Sequence, residues 1–365
     1  MAKDLFSKPF DEGTNAKLEI FKLYLREWLP VFISSYEKRF WSTIFIYDFF
    51  AGEGKDSIGN HGSPLVILDV LKEYEALVKQ TKVKIKIIFN EKEKVSLDRL
   101  KANIKDFGYN EETVEIVYYN KPFQDFFKEI YPKMMLNTEY PRLMFLDQYG
   151  IKEITSEIFK KLISFKRTDF IFFISSSFIR RFKELDEFKN YISITKEKFD
   201  ETKPFHSHRV VFDYYKSLIS TDYMLAPFSI KKGINIYGLI FGSNHSLGLE
   251  KFLNVAWKIN PHTGDANFNI DEENIIKGQV SLFEEDNKIK KISFYENELE
   301  NLILSKKIVT LHKCYLYTLE YGCLPKHCNK VLVQLQKNNK IAALNTRSQK
   351  IHNLAPPNDA NIVLI

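Results

Sequence analysis

The stretch Ile44-Phe45-Ile46-Tyr47-Asp48-Phe49-Phe50-Ala51-Gly52-Glu53-Gly54 decides how the rest of the chain is read. Four apolar residues in a row, with no alternation, mark a strand buried on both faces, as in a parallel sheet. The run ends on an acid, Asp48, and then on a bend with two glycines, Gly52 and Gly54. Glycine tolerates positive φ and lets the backbone approach a ligand with no Cβ in the way. Open α/β sheets bind ligands just beyond the carboxyl ends of their strands. Asp48, Phe50, Gly52 and Gly54 are therefore candidates to line a ligand pocket. A strand followed by G-x-G is equally compatible with a tight turn that holds nothing.

On either side the pattern alternates strand and helix. Residues 14–35 read as an amphipathic helix capped by Thr14, with Leu18, Phe21, Leu25 and Leu29 at helical spacing, serving as a lid or a packing helix. Ser63-Pro64 fits a helix start, with serine as cap and proline in the first turn, and that helix runs to about Gln80. Lys84 to Glu91 is a second strand. Glu91 stands where a doubly wound nucleotide-binding sheet offers a carboxylate to ribose hydroxyls, although a plain strand-end surface charge fits the sequence as well. A helix over 92–105, a strand over 114–119 and a strand from Arg142 follow. A helix over 151–165 and a strand over 168–175 come next. Tyr223–Lys231 and Asn235–Phe241 form a hairpin around Lys232-Gly233. The alternation predicts an α/β fold with a doubly wound, mostly parallel sheet closed by an antiparallel hairpin.

The segment Asp48-Phe49-Phe50-Ala51-Gly52-Glu53-Gly54, followed by Gly62-Ser63-Pro64, resembles the three-Cys-motif partner family (TcmP). The likeness extends to Glu91, Leu100 and Asn103, to Phe178-Ile179-Arg180-Arg181-Phe182, to Gly242-Ser243-Asn244-His245 and to Ala256-Trp257-Lys258. The resemblance implies a Rossmann-like fold of the methyltransferase type and S-adenosylmethionine as cofactor. Asp48, Phe50, Gly52 and Gly54 would then shape the cofactor pocket, Glu91 would hold the ribose and Phe123 would stack on the adenine. Asp147 and Tyr149 would position the methyl acceptor. It also implies a separate three-Cys-motif protein as partner, and a setting in phage defence or mobile-element biology. The chain departs from the family at two places. Lys121-Pro122 stands where relatives carry Gly-Asp, and Asp147-Gln148-Tyr149-Gly150 stands where they carry D-P-F-G. Two functions remain open: a methyltransferase acting on or near nucleic acid, and a catalytically silent member that binds nucleic acid or scaffolds its partner.

Composition sets the outer limits. At 365 residues, one large domain and a small one are expected, divided as 1–40, 41–260, a linker 261–290, and 291–365. Hydrophobic residues at 44% and charged residues at 27% exclude a disordered chain. No apolar run approaches the ~18 residues that span a bilayer, and the first residues lack a secretory apolar core, so the expected compartment is the cytoplasm. No G-x4-G-K-[ST] loop and no nucleophile elbow occur. Cys314, Cys323 and Cys328 are odd in number and match no zinc spacing even with His312 and His327 nearby, so they read as buried thiols and no metal is expected.

From Asp286 onward the chain carries 12 Lys and Arg against 6 Asp and Glu, which holds the whole formal excess of +6. That segment reads as a winged helix-turn-helix. A helix over 309–321, a turn at Gly322-Cys323-Leu324-Pro325 and a helix over 326–337 precede a wing pairing 340–344 with 361–364. Lys326, Lys330, Gln334 and Lys337 share the outward face of the second helix, and Arg347 and Lys350 fall at the wing tip. That arrangement suits phosphate and groove contacts with DNA or RNA, or a solvated face on a docking domain.

Overall fold

The apolar run forms β1 (Thr43–Asp48), which pairs in parallel with β2 (Lys84–Asn90) on one side and β4 (Arg142–Leu146) on the other. The computed structural model describes residues 8–34, 41–109, 112–148, 153–175, 207–232, 235–267, 290–342 and 360–365. Tyr149, the segment 178–182, Arg347, Lys350 and most of the 261–290 linker lie outside the described residues.

β3 (Val114–Tyr119) adds to β2 and β5 (Thr168–Ser175) to β4, both in parallel. β6 (Met224–Lys232) and β7 (Asn235–Ser243) pair antiparallel, and β7 lies antiparallel to β5. The resulting order is β3-β2-β1-β4-β5-β7-β6. Winding reverses between β1 and β4, which makes that crevice the switch point where such sheets take ligands.

α1 (Glu12–Ile33) starts on Asp11, whose carboxylate accepts from the Thr14 amide at 2.9 Å, so the cap lies three residues earlier than the sequence suggested. α1 crosses β4 and β5: Phe21 packs on Phe145 with ring centroids 4.2 Å apart, and the Tyr24 hydroxyl donates to Asp169 at 2.7 Å. It also packs against α2 (Ser63–Glu73), where Arg26 forks onto Glu73. The long helix expected after Ser63 breaks at Tyr74, and α3 (Glu75–Gln80) follows. α4 (Lys94–Phe107) connects β2 to β3.

On the other face, α5 (Phe123–Met135), α6 (Ser156–Leu162) and α7 (Ser207–Ser217) bury Phe123, Phe126, Phe127, Phe159 and Tyr215 against Phe170 and Phe172. The abundant phenylalanines and tyrosines thus fill the layers on both faces of the sheet. Arg142 is buried with them. Its guanidinium donates to the carbonyls of Met134 at 2.9 Å and Tyr140 at 2.8 Å, and to that of Asn137, tying the end of α5 to β4.

The chain divides into two compact units, residues 1–248 and 249–365. α8 (Ser246–Ile259) begins at the end of the first. In the second, α9 (Lys290–Leu304), α10 (Leu311–Glu320) and α11 (Pro325–Lys337) surround Tyr295, Leu299, Cys314, Leu319, Cys328 and Leu332. All three cysteines are buried thiols outside any disulfide. Gly322, at φ +78°, turns the chain between α10 and α11, and its carbonyl accepts from the Trp257 indole at 2.9 Å and from Lys291 at 3.1 Å. Antiparallel bridges Thr310–Asn361 and Ile341–Leu364 make the described part of the wing. Among the described residues no helix is long and apolar enough to cross a membrane.

Gly242 of β7 faces Phe170 so closely that a Cβ there would lie 2.2 Å from the ring. Gly242→Ala is expected to destabilise the large unit by about 1–3 kcal/mol, since inserted volume in a packed core forces neighbours off their rotamers. Urea unfolding checks this, and adding Phe170→Leu should recover part of the loss.

Candidate cofactor and acceptor site

The glycine bend owes its shape to three positions. Gly52 (φ +61°) and Gly54 (φ +84°) occupy the left-handed region, where a side chain strains the backbone. A Cβ on Gly54 would lie 2.8 Å from Leu100 of α4. The Gly62 amide closes the loop on the Gly54 carbonyl at 2.7 Å. Gly62, not Ser63, is the N-cap of α2, and the Ser63 hydroxyl faces Asp48 instead. Asp56 holds the far side, accepting from the amides of Phe10 at 2.7 Å, Ile58 at 3.0 Å and Asn60 at 2.8 Å. Burial opposes the charge of Asp56, but these donors outweigh it and keep its carboxyl below the usual range.

Glu91 leaves β2 half-buried and reaches the bend. One oxygen accepts from the Gly52 amide at 2.9 Å, the other from the Glu93 amide at 2.9 Å. A carboxylate oxygen has two lone pairs, so both keep capacity for a hydroxyl donor. Asp48 ends β1 fully buried. Its Oδ1 accepts from the Phe50 amide at 3.2 Å, while Oδ2 has no protein partner. Burial pushes its carboxyl up to about 7; Ser63 and Phe50 pull against that, and the charges of Asp147 and Glu91 add to it. Two further buried atoms at the same ends of β2 and β4, Asn90 Oδ1 and Gln148 Nε2, also lack protein partners. Buried polar atoms almost always find one, so this edge of the sheet has the chemistry of a polar ligand site.

Asp147 follows β4 with 30% of its side chain exposed, and both its oxygens accept from the Lys17 ammonium, at 2.6 and 2.5 Å. Phe50 is half-buried and stacks on Phe123 at 5.2 Å between centroids. Phe123 itself is only 4% exposed, so that ring is largely taken by the core. The structure thus gathers Asp48, Gly52, Gly54, Glu91 and Asp147 around one edge of the sheet. Sequence reasoning missed Lys17, Asp56, Asn90 and Gln148. Asn90 had a usable signal, since it ends β2 beside Glu91 and its amide bridges the carbonyls of Phe49 and Lys121 at 3.2 and 3.0 Å. Lys17 had none, because its partner lies 130 residues away.

In the second unit, Lys326, Lys330, Gln334 and Lys337 are all exposed on one face of α11, with Asn329 and Val333 between them. Lys330 pairs with Glu296 of α9 at 2.5 Å, yet 64% of its side chain remains exposed. Among the described residues no group of three His, Cys, Asp or Glu side chains is placed to hold a metal ion.

Residues 269–348 match the family described as the GMT-like wHTH domain. The fold and this match define a Rossmann-like α/β unit of the methyltransferase type followed by a winged helix-turn-helix domain. Similar solved structures include Trm1 from Pyrococcus horikoshii in complex with S-adenosyl-L-methionine, at 11% identity and TM-score 0.39, covering 66% of this chain and 59% of that one. A human methyltransferase 10 domain containing protein matches at 10% identity and TM-score 0.28, covering 61% of this chain and 82% of that one. Spermidine synthase from Thermotoga maritima matches at 13% and 0.34, covering 68% and 66%. The chain spans less than two thirds of the Trm1 chain's own length. No curated protein matches the sequence.

Because the folded protein holds the Asp48 proton up to about pH 7 and the unfolded chain releases it near 3.8, the native state binds more protons across that window. Stability therefore falls as pH rises through it. Asp48→Asn should remove this part of the slope and be the more stable protein at pH 8 by a few kcal/mol, at ~1.4 kcal/mol per tenfold change in the proton equilibrium. Denaturant titrations of both proteins at pH 5 and pH 8 measure it.

Proposed function

We propose that the chain is an S-adenosylmethionine-dependent methyltransferase acting on or near nucleic acid, together with a partner protein of the three-Cys-motif type. The observation that carries this reading is the convergence at the carboxyl ends of β1 and β2, next to the β1–β4 switch point, of the positive-φ glycine bend, the half-buried Glu91 and the buried Asp48 with an unmatched oxygen. The residues fit the group. Gly52 and Gly54 keep the bend free of side chains at those two positions, Glu91 has lone pairs left for ribose hydroxyls, and Asp48 Oδ2 has no protein partner. When bound, the cofactor supplies an electrophilic methyl group on a sulfonium. The chain's task is then orientation and exclusion of water, which account for much of the acceleration in such transfers. Asp147 stands where it can orient an acceptor, and the exposed basic face of α11 suits phosphate contacts. The resemblance to the three-Cys-motif partners supports the partner protein and a place in phage defence or mobile-element biology; the cytoplasm is the compartment that fits.

A second reading is favoured by one observation. Phe123, the candidate for stacking on adenine, is buried with a face against Phe50, and Lys121-Pro122 precedes it in place of an acid. Both suit a methyltransferase-like unit that no longer turns over and that binds nucleic acid or scaffolds the partner.

Calorimetry with S-adenosylmethionine separates the two. Binding by the wild type, weakened about tenfold or more by Glu91→Ala through loss of ~1.4 kcal/mol or more, is expected of the enzyme; no heat with the wild type overturns it. Gel shifts across salt concentrations test the small unit. The double substitution Lys326→Glu with Lys330→Glu should weaken nucleic-acid binding and flatten the salt slope by about two charges, and unchanged affinity would reject the role of that helix.

A further inference from the structure

Three acids, Asp48, Glu91 and Asp147, converge on the carboxyl ends of β1, β2 and β4, close enough for the last two to favour the protonated form of the first. Left unopposed, such an edge would attract cations. Beside Asp147 stands the ring of Phe173, and a carboxylate next to an aromatic face is the pairing that holds substituted ammonium groups. Here both are occupied by the chain's own ammonium. Lys17 Nζ contacts the two Asp147 oxygens at 2.6 and 2.5 Å and sits 4.9 Å from the centroid of the Phe173 ring. Only 13% of the Lys17 side chain is exposed, so solvent screens this pair less than a surface one. Nor is the lysine on a loose arm. One turn further along α1, Phe21 is packed on Phe145, and Tyr24 is bonded to buried Asp169. Upstream, the Phe10 amide is fastened to Asp56.

We propose that Lys17 is a specificity-determining residue: by filling the cation position between Asp147 and Phe173 it excludes positively charged amines and leaves the acceptor site to neutral or anionic groups, of which a nucleobase nitrogen is the fitting class. This rests on the methyltransferase reading and narrows it. Discrimination comes from repulsion as much as attraction, because a second ammonium brought to Asp147 meets a like charge already in place. It also gives α1 a role beyond packing, as the element that carries the charge filter into the site.

The test uses the full chain without cofactor, with spermidine as the cationic probe in calorimetry. Lys17→Met should bind spermidine at least about tenfold more tightly than wild type, the gain expected when a carboxylate–aromatic pair is released. Lys17→Arg keeps the charge and should exclude spermidine like wild type. Adding Asp147→Asn to Lys17→Met should abolish the gain, which separates this position from acidic surface elsewhere. Lys17→Gln replaces the methionine variant if thermal unfolding shows that one is not folded. Equal spermidine affinity in wild type and the neutral variants, or a gain that survives loss of the Asp147 charge, overturns the proposal. If the variants behave as stated while S-adenosylmethionine does not bind, the methyltransferase reading fails and the charge filter stands by itself.

Discussion

The burial of one carboxyl group, Asp48, is the constraint around which the ends of β1, β2 and β4 are arranged. Asp48 ends a strand with neighbours on both sides, under helices on both faces, and its burial costs the charged form heavily. A protein tolerates such a residue only where its surroundings are fixed. β1 fixes them through parallel ladders to β2 and β4, and the glycine bend fixes the side beyond the strand. Glu91 then ties the end of β2 to that bend through the Gly52 amide. Strand order, bend and acid are one arrangement.

α1 belongs to that arrangement. Its buried stripe, Phe21, Tyr24, Leu25, Trp28 and Leu29, follows from helical spacing and lies on the sheet. Its first turns run on to the carboxyl edge of β4, where Lys17 meets Asp147. The same helix therefore covers hydrophobic surface in its middle and sets the charge of the site at its start. On the opposite face the aromatic layer closes over Phe123, which explains why that ring is largely taken up by packing.

The small unit is organised by a different constraint. Among its described residues, Tyr295, Tyr315, Cys314, Cys323 and Cys328 are buried beside Leu299, Leu311, Leu319 and Leu332. Burial pushes the Cys323 thiol up to about 12 and the His327 ring down to about 4, with the lysines around His327 adding to its shift. Both are therefore neutral packing groups at ordinary pH. Three of the segment's twelve basic residues, Lys326, Lys330 and Lys337, lie on the outside of α11.

Much of this was legible in the residues alone. The continuous apolar run of β1, the positive-φ glycines, the alternation of strands with helices and the spacing of Lys326, Lys330, Gln334 and Lys337 are local patterns, and local sterics and periodicity determine them. The break at Tyr74 and the cap at Asp11 were not so clear, since several nearby residues could serve either role. What only the tertiary structure decided is which distant side chains meet: Lys17 with Asp147, Phe10 with Asp56, and Phe50 with Phe123. No local pattern encodes those pairs, because each is set by where the packed helices carry their residues, and that geometry exists only once the sheet is complete.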